Sequence, residues 1–425
     1  MRKQLPGYIY RLLKSIGETG DEIGSPAIAV GGFVRDLLLS RANLDIDIVT
    51  ERDGIGFAHA FAKARKGRVK SHQRFGTAVV TLPDGFKLDI ATARTEIYTR
   101  PGALPSVKFS SIRDDLRRRD FTINAMAIEL GRDRFGELVD FFGGNMDLQN
   151  GLVRILHNLS FADDPTRIFR AIRFEQRYGF SIESHTEELL RKAVAEDSLK
   201  TITMQRLRNE ILLILKEDDP ASSIQRMADF DLVKYIHPQI TISGKLMELF
   251  GRIKDALAWW NSASPSAHEP ADPVLLNLMA LLDQLNTTET RVVSENLVLR
   301  KRYEEALRAM KVRLPGVYQS IGHGENPPSR IYETLKGIPL EALLFALAKT
   351  DESGLRDSIS LYLTRLRKVR PLVNGNDLRK LGYPEGPLYA RILGKTFTAQ
   401  LDGLVADKRE AMRFVEDQFP RYRVC

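Results

Sequence analysis

The chain reads as an α+β protein, a small mixed β-sheet head followed by an elongated all-α remainder. Three features of the sequence predict this. Up to about residue 92, short apolar or alternating runs that fit strands are interleaved with helical periods. Two such runs, TAVVTL and FKLDIA, flank Pro83-Asp84-Gly85, a hairpin signature. After Gly151 the strand signals fade and helical periods repeat to the end. With 425 residues, 43% of them hydrophobic, the chain is long enough for two to four domains with ample cores.

Taken in order, residues 8–24 fit a helix leading into an apolar strand, Ala27–Val30, which ends at Gly31–Gly32. A helix follows over Val34–Leu39. The run NLDIDIV comes next and alternates Leu44, Ile46 and Ile48 with polar residues, as a strand does. A helix near Ile55–Ala64 precedes the hairpin. Residues 95–112, TEIYTRPGALPSVKFSSI, carry two prolines and a glycine and read as a long flexible loop. Helical periods then fall at 165–178, 184–195, 205–216, 245–259, 274–285, 302–311, 329–349 and 354–368. Polar, proline-rich connectors stand at 262–273 and 322–329.

Chemistry-bearing residues cluster in three places. Asp45 and Asp47 are two apart, so on a strand both carboxylates point to one face. Two anions side by side repel unless a cation joins them, and hard oxygen ligands suit Mg2+. Backbone amides around Gly31 and Gly32, at a strand-to-helix turn, can receive a phosphate. Either element alone is commonly a solvated strand face or a plain turn. Together, with Arg35 and Asp36 between them, they are the equipment of metal-dependent nucleotidyl transfer. Asp89, in the second hairpin arm, reads equally as a third converging carboxylate or as a structural residue.

The second cluster is DDLRRRDFTINA. Arg117, Arg118 and Arg119 fan around a helix, so one can serve a site while Arg117 and Arg118 read better as a solvated basic turn. Asp120 can accept a ribose hydroxyl, and Asn124 offers both donor and acceptor. The third cluster is FADDPTRIFRAIRFEQRY. Asp164 before Pro165 is a good helix start and Gly179 a good stop, so capping alone accounts for Asp164. Ile168, Phe169 and Ile172 form an apolar face. Arg167, Arg170, Arg173 and Arg177 spread over the other side with few acids among them, which suits phosphate or base contacts.

Composition narrows the classes. A net charge of +8 favours an anionic partner. The one cysteine, Cys425, allows no internal disulfide and fits a reducing, cytoplasmic setting. No apolar run reaches the length of a membrane span, and the N-terminus lacks a signal-peptide core. Seven scattered histidines and one cysteine leave no zinc-type ligand cluster.

The segments GGFVRD, LDIDIV, RRDFTINAMA, GGNMDLQNGLVRIL, DDPTRIFRAIRF and TMQRLRNEI occur in the order found in class II tRNA nucleotidyltransferases. These are the CCA-adding and A-adding enzymes, related to bacterial poly(A) polymerases. The resemblance is dense over residues 25–240 and loose beyond. It implies a polymerase-β-like nucleotidyltransferase head (26–150) after an N-terminal helical lead (1–25). It also implies a helical neck (151–220), a body (221–350) and a tRNA-binding tail (351–425). LDIATARTEIYTRPGALP and NLDIDIVTERDGIGFA resemble the branch often fused to phosphoesterase-like and CBS modules, so the chain is expected to be part of a longer protein.

Carried over by position, the resemblance places two magnesium ions on Asp45 and Asp47, and nucleotide phosphates on Gly32 and Arg35. Asp120 would bind ribose and Arg119 would approach the nucleotide. Asp164 and Arg167, with Arg170 beside them, would form an amino-acid template for the incoming base. Where the family usually has glutamate this chain has Asp163, a departure that leaves Asp164 and Arg167 intact. Chemistry agrees with such a template. Adenine and cytosine each present an amine donor beside a ring-nitrogen acceptor, matching an Asp/Arg pair. Guanine and uracil present the reverse, and each buried unpaired polar group costs about 1–3 kcal/mol.

The implied substrates are ATP, possibly CTP, and the 3′ end of tRNA. The family needs the loop at 95–112 for the final A, which argues against a CC-only enzyme. A-adding and full CCA-adding activities stay open, with poly(A) polymerase next and a non-catalytic RNA-binding relative last. The cationic stretch LYLTRLRKVR makes Arg365, Arg367 and Lys368 candidate tRNA contacts, although such runs are often merely solvated.

Overall fold

The computed structural model describes residues 4–97, 102, 106–263, 269–322 and 324–420. Cys425, much of the 95–112 tip and part of the 262–273 connector lie outside these residues. Packing divides the chain into two compact units, Met1–Leu232 and Val233–Cys425.

The first unit opens with α1 (Gly7–Glu22), then β1 (Ile28–Val30), α2 (Gly32–Leu38), β2 (Asp47–Thr50) and α3 (Gly54–Arg65). The strands β3 (Arg68–His72), β4 (Thr77–Thr81) and β5 (Lys87–Thr92) follow. Next come β6 (Arg94–Ile97), β7 (Ser106–Phe109), α4 (Ile112–Arg117), β8 (Met126–Glu129), β9 (Leu138–Asp140) and α5 (Gly144–Gln149). Seven of these strands form one mixed sheet in the order β3-β4-β5-β2-β1-β8-β9, in which only β2 and β5 run parallel.

The sheet is packed on both faces. On one side Ile28, Val30, Val49 and Ala127 pack with Leu116 of α4. On the other, Ile48, Leu88 and Ile90 are buried, and α3 lies over β4 and β5. Gly54 allows that fit, because a Cβ there would lie 2.6 Å from the Ala91 carbonyl carbon. Asp53 caps α3 by accepting from the amides of Ile55 and Gly56.

Two expectations need correction here. The strand expected over NLDIDIV begins only at Asp47. Its partner β1 ends at Val30, opposite Asp47, and the Asn43 side chain turns the preceding segment by accepting from the Asp45 amide at 2.8 Å. Residues 95–112 are not all loop: β6 and β7 pair antiparallel from Arg94↔Phe109 to Ile97↔Ser106.

The rest of the unit is helical apart from a two-residue parallel pair, β10 (Leu152–Val153) with β11 (Ser181–Ile182). Its helices are α6 (Ser160–Asp163), α7 (Arg167–Tyr178), α8 (Ser184–Ala195), α9 (Met204–Leu215) and α10 (Pro220–Asp229). The second unit contains only helices and connections among its described residues. The period expected over 329–349 is split there into Pro328–Leu335 and Leu340–Lys349, since Gly337 at φ +68° and Pro339 stop the first helix. No helix among the described residues is long and apolar enough to cross a membrane.

Candidate active site

A polar cleft of about 650 Å³ lies within the first unit. Of the expected residues, Gly32, Arg35, Asp45, Asp47, Arg119, Asp120, Asn124, Asp164, Arg167 and Arg170 all line it. Sequence positions more than a hundred apart are thus brought to one space.

Asp47 heads β2, and Asp45 stands just before the strand. Burial pushes the Asp47 carboxyl up to about 6. Arg119 opposes this, while the like charges of Asp45, Asp89 and Asp115 add to it. Asp89 pairs in register with Asp47, so their side chains share a face of the sheet. Asp89 nevertheless does not line the cleft, and among the described residues no three acidic, His or Cys side chains converge as a metal-binding group. The charge of Asp89 still raises the Asp47 carboxyl, and Asp45 raises that of Asp89, so the three carboxylates act on one another across the sheet face. The hard, crowded oxygens of Asp45 and Asp47 suit Mg2+, which is commonly held by one or two carboxylates and completed by substrate phosphates.

Gly31 and Arg119 depend on each other. Gly31 has φ +74°, and a Cβ there would lie 2.5 Å from Arg119 Nη1 and 3.8 Å from Asp47 Oδ2. Only glycine leaves room for this guanidinium beside the carboxylate. Arg119 also donates to Asp115 at 3.1 Å. The Gly31 amide is not free for a phosphate: it donates to the Met126 carbonyl at 3.2 Å, and Gly31 itself is not a cleft residue.

One hydrogen-bonded chain ties three elements together. Arg35 forms a double ion pair with Asp36 at 2.9 Å and donates to Asn124. Asn124 donates to Asp120 at 2.9 Å, and Arg170 grips the other Asp120 oxygen through Nε at 2.8 Å. Burial works to raise the Asp120 carboxyl, but the charge of Arg170 and the bonds from Asn124 and Arg170 hold it at about 2. Arg35 also lies over the rings of Phe174 and Tyr178, at 5.3 and 4.8 Å.

The Asp164 region departs from expectation. Helix α7 begins at Arg167, not at Pro165. Asp164 accepts from the Thr166 amide at 3.0 Å and from the Arg206 guanidinium at 2.6 Å. Arg167 is bound to Ser160 Oγ at 2.6 Å and to the Arg118 carbonyl at 2.7 Å, so Asp164 and Arg167 are neighbours held by separate partners. The arginine row on α7 is not uncompensated. Asp120 pairs with Arg170, and Glu217 pairs with Arg177 and lies 3.9 Å from Arg173. These acids come from other segments, which is why the helix alone looks unbalanced. Arg118 is not solvated either: it pairs with Asp115 and Glu96 at 2.7 Å, whereas Arg117 is exposed as expected.

Sequence reasoning gave no role to Arg206, Asn209 and Glu210, which also line the cleft. Their i, i+3, i+4 spacing places them on one face of α9, the available signal. Arg206 further donates to the Gly102 carbonyl at 3.0 Å, linking the segment beyond β6 to Asp164. Arg365, Arg367 and Lys368 belong to the second unit. Arg365 and Lys368 are exposed, while Arg367 is half-buried, over the Trp260 ring and 2.9 Å from Glu269.

A mixed sheet that sets two carboxylates against an arginine-lined cleft defines a nucleotidyltransferase-type head. Residues 27–154 match the poly(A) polymerase head domain, and residues 179–242 match the probable RNA- and SrmB-binding site of polymerase A. The chain is 41% identical to an A-adding tRNA nucleotidyltransferase of Geobacter sulfurreducens, over 97% of this chain and 47% of that one. It is 32% identical to the A-adding tRNA nucleotidyltransferase of Halalkalibacterium halodurans, over 96% of this chain and 92% of that one. It thus spans about half the length of the first relative and nearly all of the second. A solved CCA-adding enzyme in apo form superposes with a TM-score of 0.81 at 37% identity, covering 98% of this chain and 97% of that one. The Thermotoga maritima CCA-adding enzyme complexed with tRNA gives 0.75 at 36%, covering 98% and 96%. The chain belongs to the class II tRNA nucleotidyltransferase family, whose members share the poly(A) polymerase head.

Proposed function

We propose that the chain is a template-independent tRNA nucleotidyltransferase that adds the 3′-terminal A from ATP, with release of pyrophosphate. One observation carries this reading: a single cleft holds the Asp45/Asp47 pair, Arg119, and the Asp164/Arg167/Arg170 wall. Asp45 and Asp47 would hold two Mg2+ ions, which when bound lower the pKa of the attacking RNA hydroxyl and neutralise the leaving pyrophosphate.

The protein's own groups account for the rest. Gly32, Arg35 and Arg119 receive the triphosphate. Asp120, with its oxygens already held by Arg170 and Asn124, fixes the ribose side of the cleft as much as it binds it. Asp164 presents an acceptor and Arg167 donors to the base edge, which accepts A or C and rejects G or U. Arg206 holds Asp164 in place and joins it to Gly102. Positioning and electrostatics supply most of the rate, as in phosphoryl transfer generally. The tRNA acceptor arm is the partner, and the single cysteine of the sequence suits a cytoplasmic setting.

A full CCA-adding activity is the second reading, supported by the likeness to CCA-adding structures, including a complex with CTP at 37% identity. The test offers the protein tRNA ending before CCA, after C and after CC, with ATP or CTP supplied separately. Incorporation of a single A, only on the CC end, is the expected result. C addition to the shorter ends would establish the CCA reading, and runs of A a poly(A) polymerase. No incorporation on any end would overturn the transferase assignment.

A further inference from the structure

The sheet face that carries the carboxylates continues across β5, β4 and β3, and among the described residues its Arg68, Lys70, Lys87 and Asp89 side chains are exposed. Register fixes the continuation. Lys70 pairs with Val79, Val79 with Asp89, and Asp89 with Asp47, so these four side chains stand in one transverse row on one face. The neighbouring row holds Arg68, Thr81 and Lys87. On the opposite face Ala78, Val80, Leu88 and Ile90 are buried. On this face Arg68, Lys70 and Lys87 are exposed, and Asp89 is the only acid on the three strands.

The cations here differ from those in the cleft. Arg35, Arg118, Arg119, Arg170 and Arg206 are each bound to a carboxylate. Arg68, Lys70 and Lys87 stand opposite threonine and valine across the strands. None is held in a tight ion pair among the described residues, although the charge of Lys87 acts on Asp89 two residues along the same strand. Exposed cations that no tight ion pair holds, on a face that leads to the carboxylates, are available to a mobile polyanion. The far border of the face carries Phe75 and Phe109, 42% and 56% exposed, with the Phe109 ring against Gly76. Cationic strips bordered by exposed aromatic rings suit single-stranded RNA.

We infer that Arg68, Lys70 and Lys87 form a backbone track for the RNA strand whose 3′ end enters the cleft. The inference rests on the transferase reading and names the route of that substrate. Lys70 is three strands from Asp47, roughly 14 Å at about 4.8 Å per strand. It therefore meets phosphates upstream of the reacting nucleotide and leaves the terminal hydroxyl alone.

The test is the triple variant Arg68→Glu, Lys70→Glu and Lys87→Glu, in the full chain. A matched control reverses Lys63, Arg65 and Lys66, which are exposed on or just after α3, the helix covering the other face. Binding of tRNA ending in CC is measured by fluorescence anisotropy across a salt series, alongside KM for ATP and kcat at saturating tRNA. The track variant should bind tRNA at least tenfold more weakly. Its log Kd–log salt slope should be smaller by roughly 2, at about 0.7–0.9 per phosphate contact. KM for ATP and kcat should stay within twofold, and the control should bind like the parent chain. Unchanged affinity and slope in the track variant would overturn the inference, as would an equal loss in the control, which would mean diffuse attraction only. Because binding is read directly, a parent chain that binds tRNA but incorporates nothing would defeat the transferase reading by a separate result.

Discussion

Two acidic centres of the same cleft behave in opposite ways. Asp47 is half-buried and Asp120 buried, and burial alone raises a carboxyl pKa. Asp120 receives Arg170, Asn124 and its own chain's Phe121 amide, and is held at about 2. Asp47 has Arg119 nearby but also Asp45, Asp89 and Asp115, and is pushed up to about 6. One centre is electrostatically satisfied by its neighbours. The other stores unfavourable charge that a divalent cation would relieve. The charged and donor groups around each carboxylate set the direction of its shift.

Replacing Asp47 with Asn sharpens the contrast most. Nucleotide incorporation should fall on the order of a thousandfold or more, given the several kcal/mol that metal-assisted charge stabilisation contributes. Stability should move the other way. The Asp47 pKa is raised in the folded state, so its ionisation costs stability once pH climbs from about 4 through about 6. At neutral pH without divalent ions the variant's Tm should therefore rise by roughly 3–6 °C. A lowered Tm would break the comparison.

Asp120→Ala should do the reverse. It leaves the half-buried Arg170 without its hydrogen-bonded carboxylate, and chemical denaturation should show a loss of about 1–3 kcal/mol. In the parent chain the stability due to Asp120, whose pKa is depressed, is present above about pH 4 and disappears as pH falls through about 2. A neutral effect of the substitution would mean that the Asp120–Arg170 pair is not structural.

The smallest effect concerns pH. At limiting magnesium the incorporation rate should fall about tenfold per pH unit below a midpoint near 6, where Asp47 takes up its proton. Added magnesium should move that midpoint to lower pH, because ion and proton compete for the same oxygens. A midpoint indifferent to magnesium would separate Asp47 from metal binding.

Local patterns carried much of this into the sequence. The Pro83-Asp84-Gly85 turn folds as the hairpin expected, with Gly85 at φ +86° and the Leu82 amide donating to Phe86 at 2.8 Å. Ile168, Phe169 and Ile172 are buried as their helical period predicts, and Gly179 ends α7 at φ +66°. What went unread was non-local. Pairing of Arg177 with Glu217, or of Arg206 with Asp164, joins segments about 40 residues apart and leaves no mark in a helical window. The late start of β2 depends on where β1 ends, a fact about its neighbour.

By itself the sequence determined the order of elements, the adjacency of Asp45 and Asp47, and the ordered motifs that mark the family, because periodicity, turn chemistry and spacing are properties of short windows. Only the tertiary structure decided which arginines are spent on carboxylates, which way the Gly31 amide is used, and on which face of β3, β4 and β5 the exposed cations stand. Those are settled by strand register and by partners brought from distant segments, where charge and space must balance among all the groups that meet.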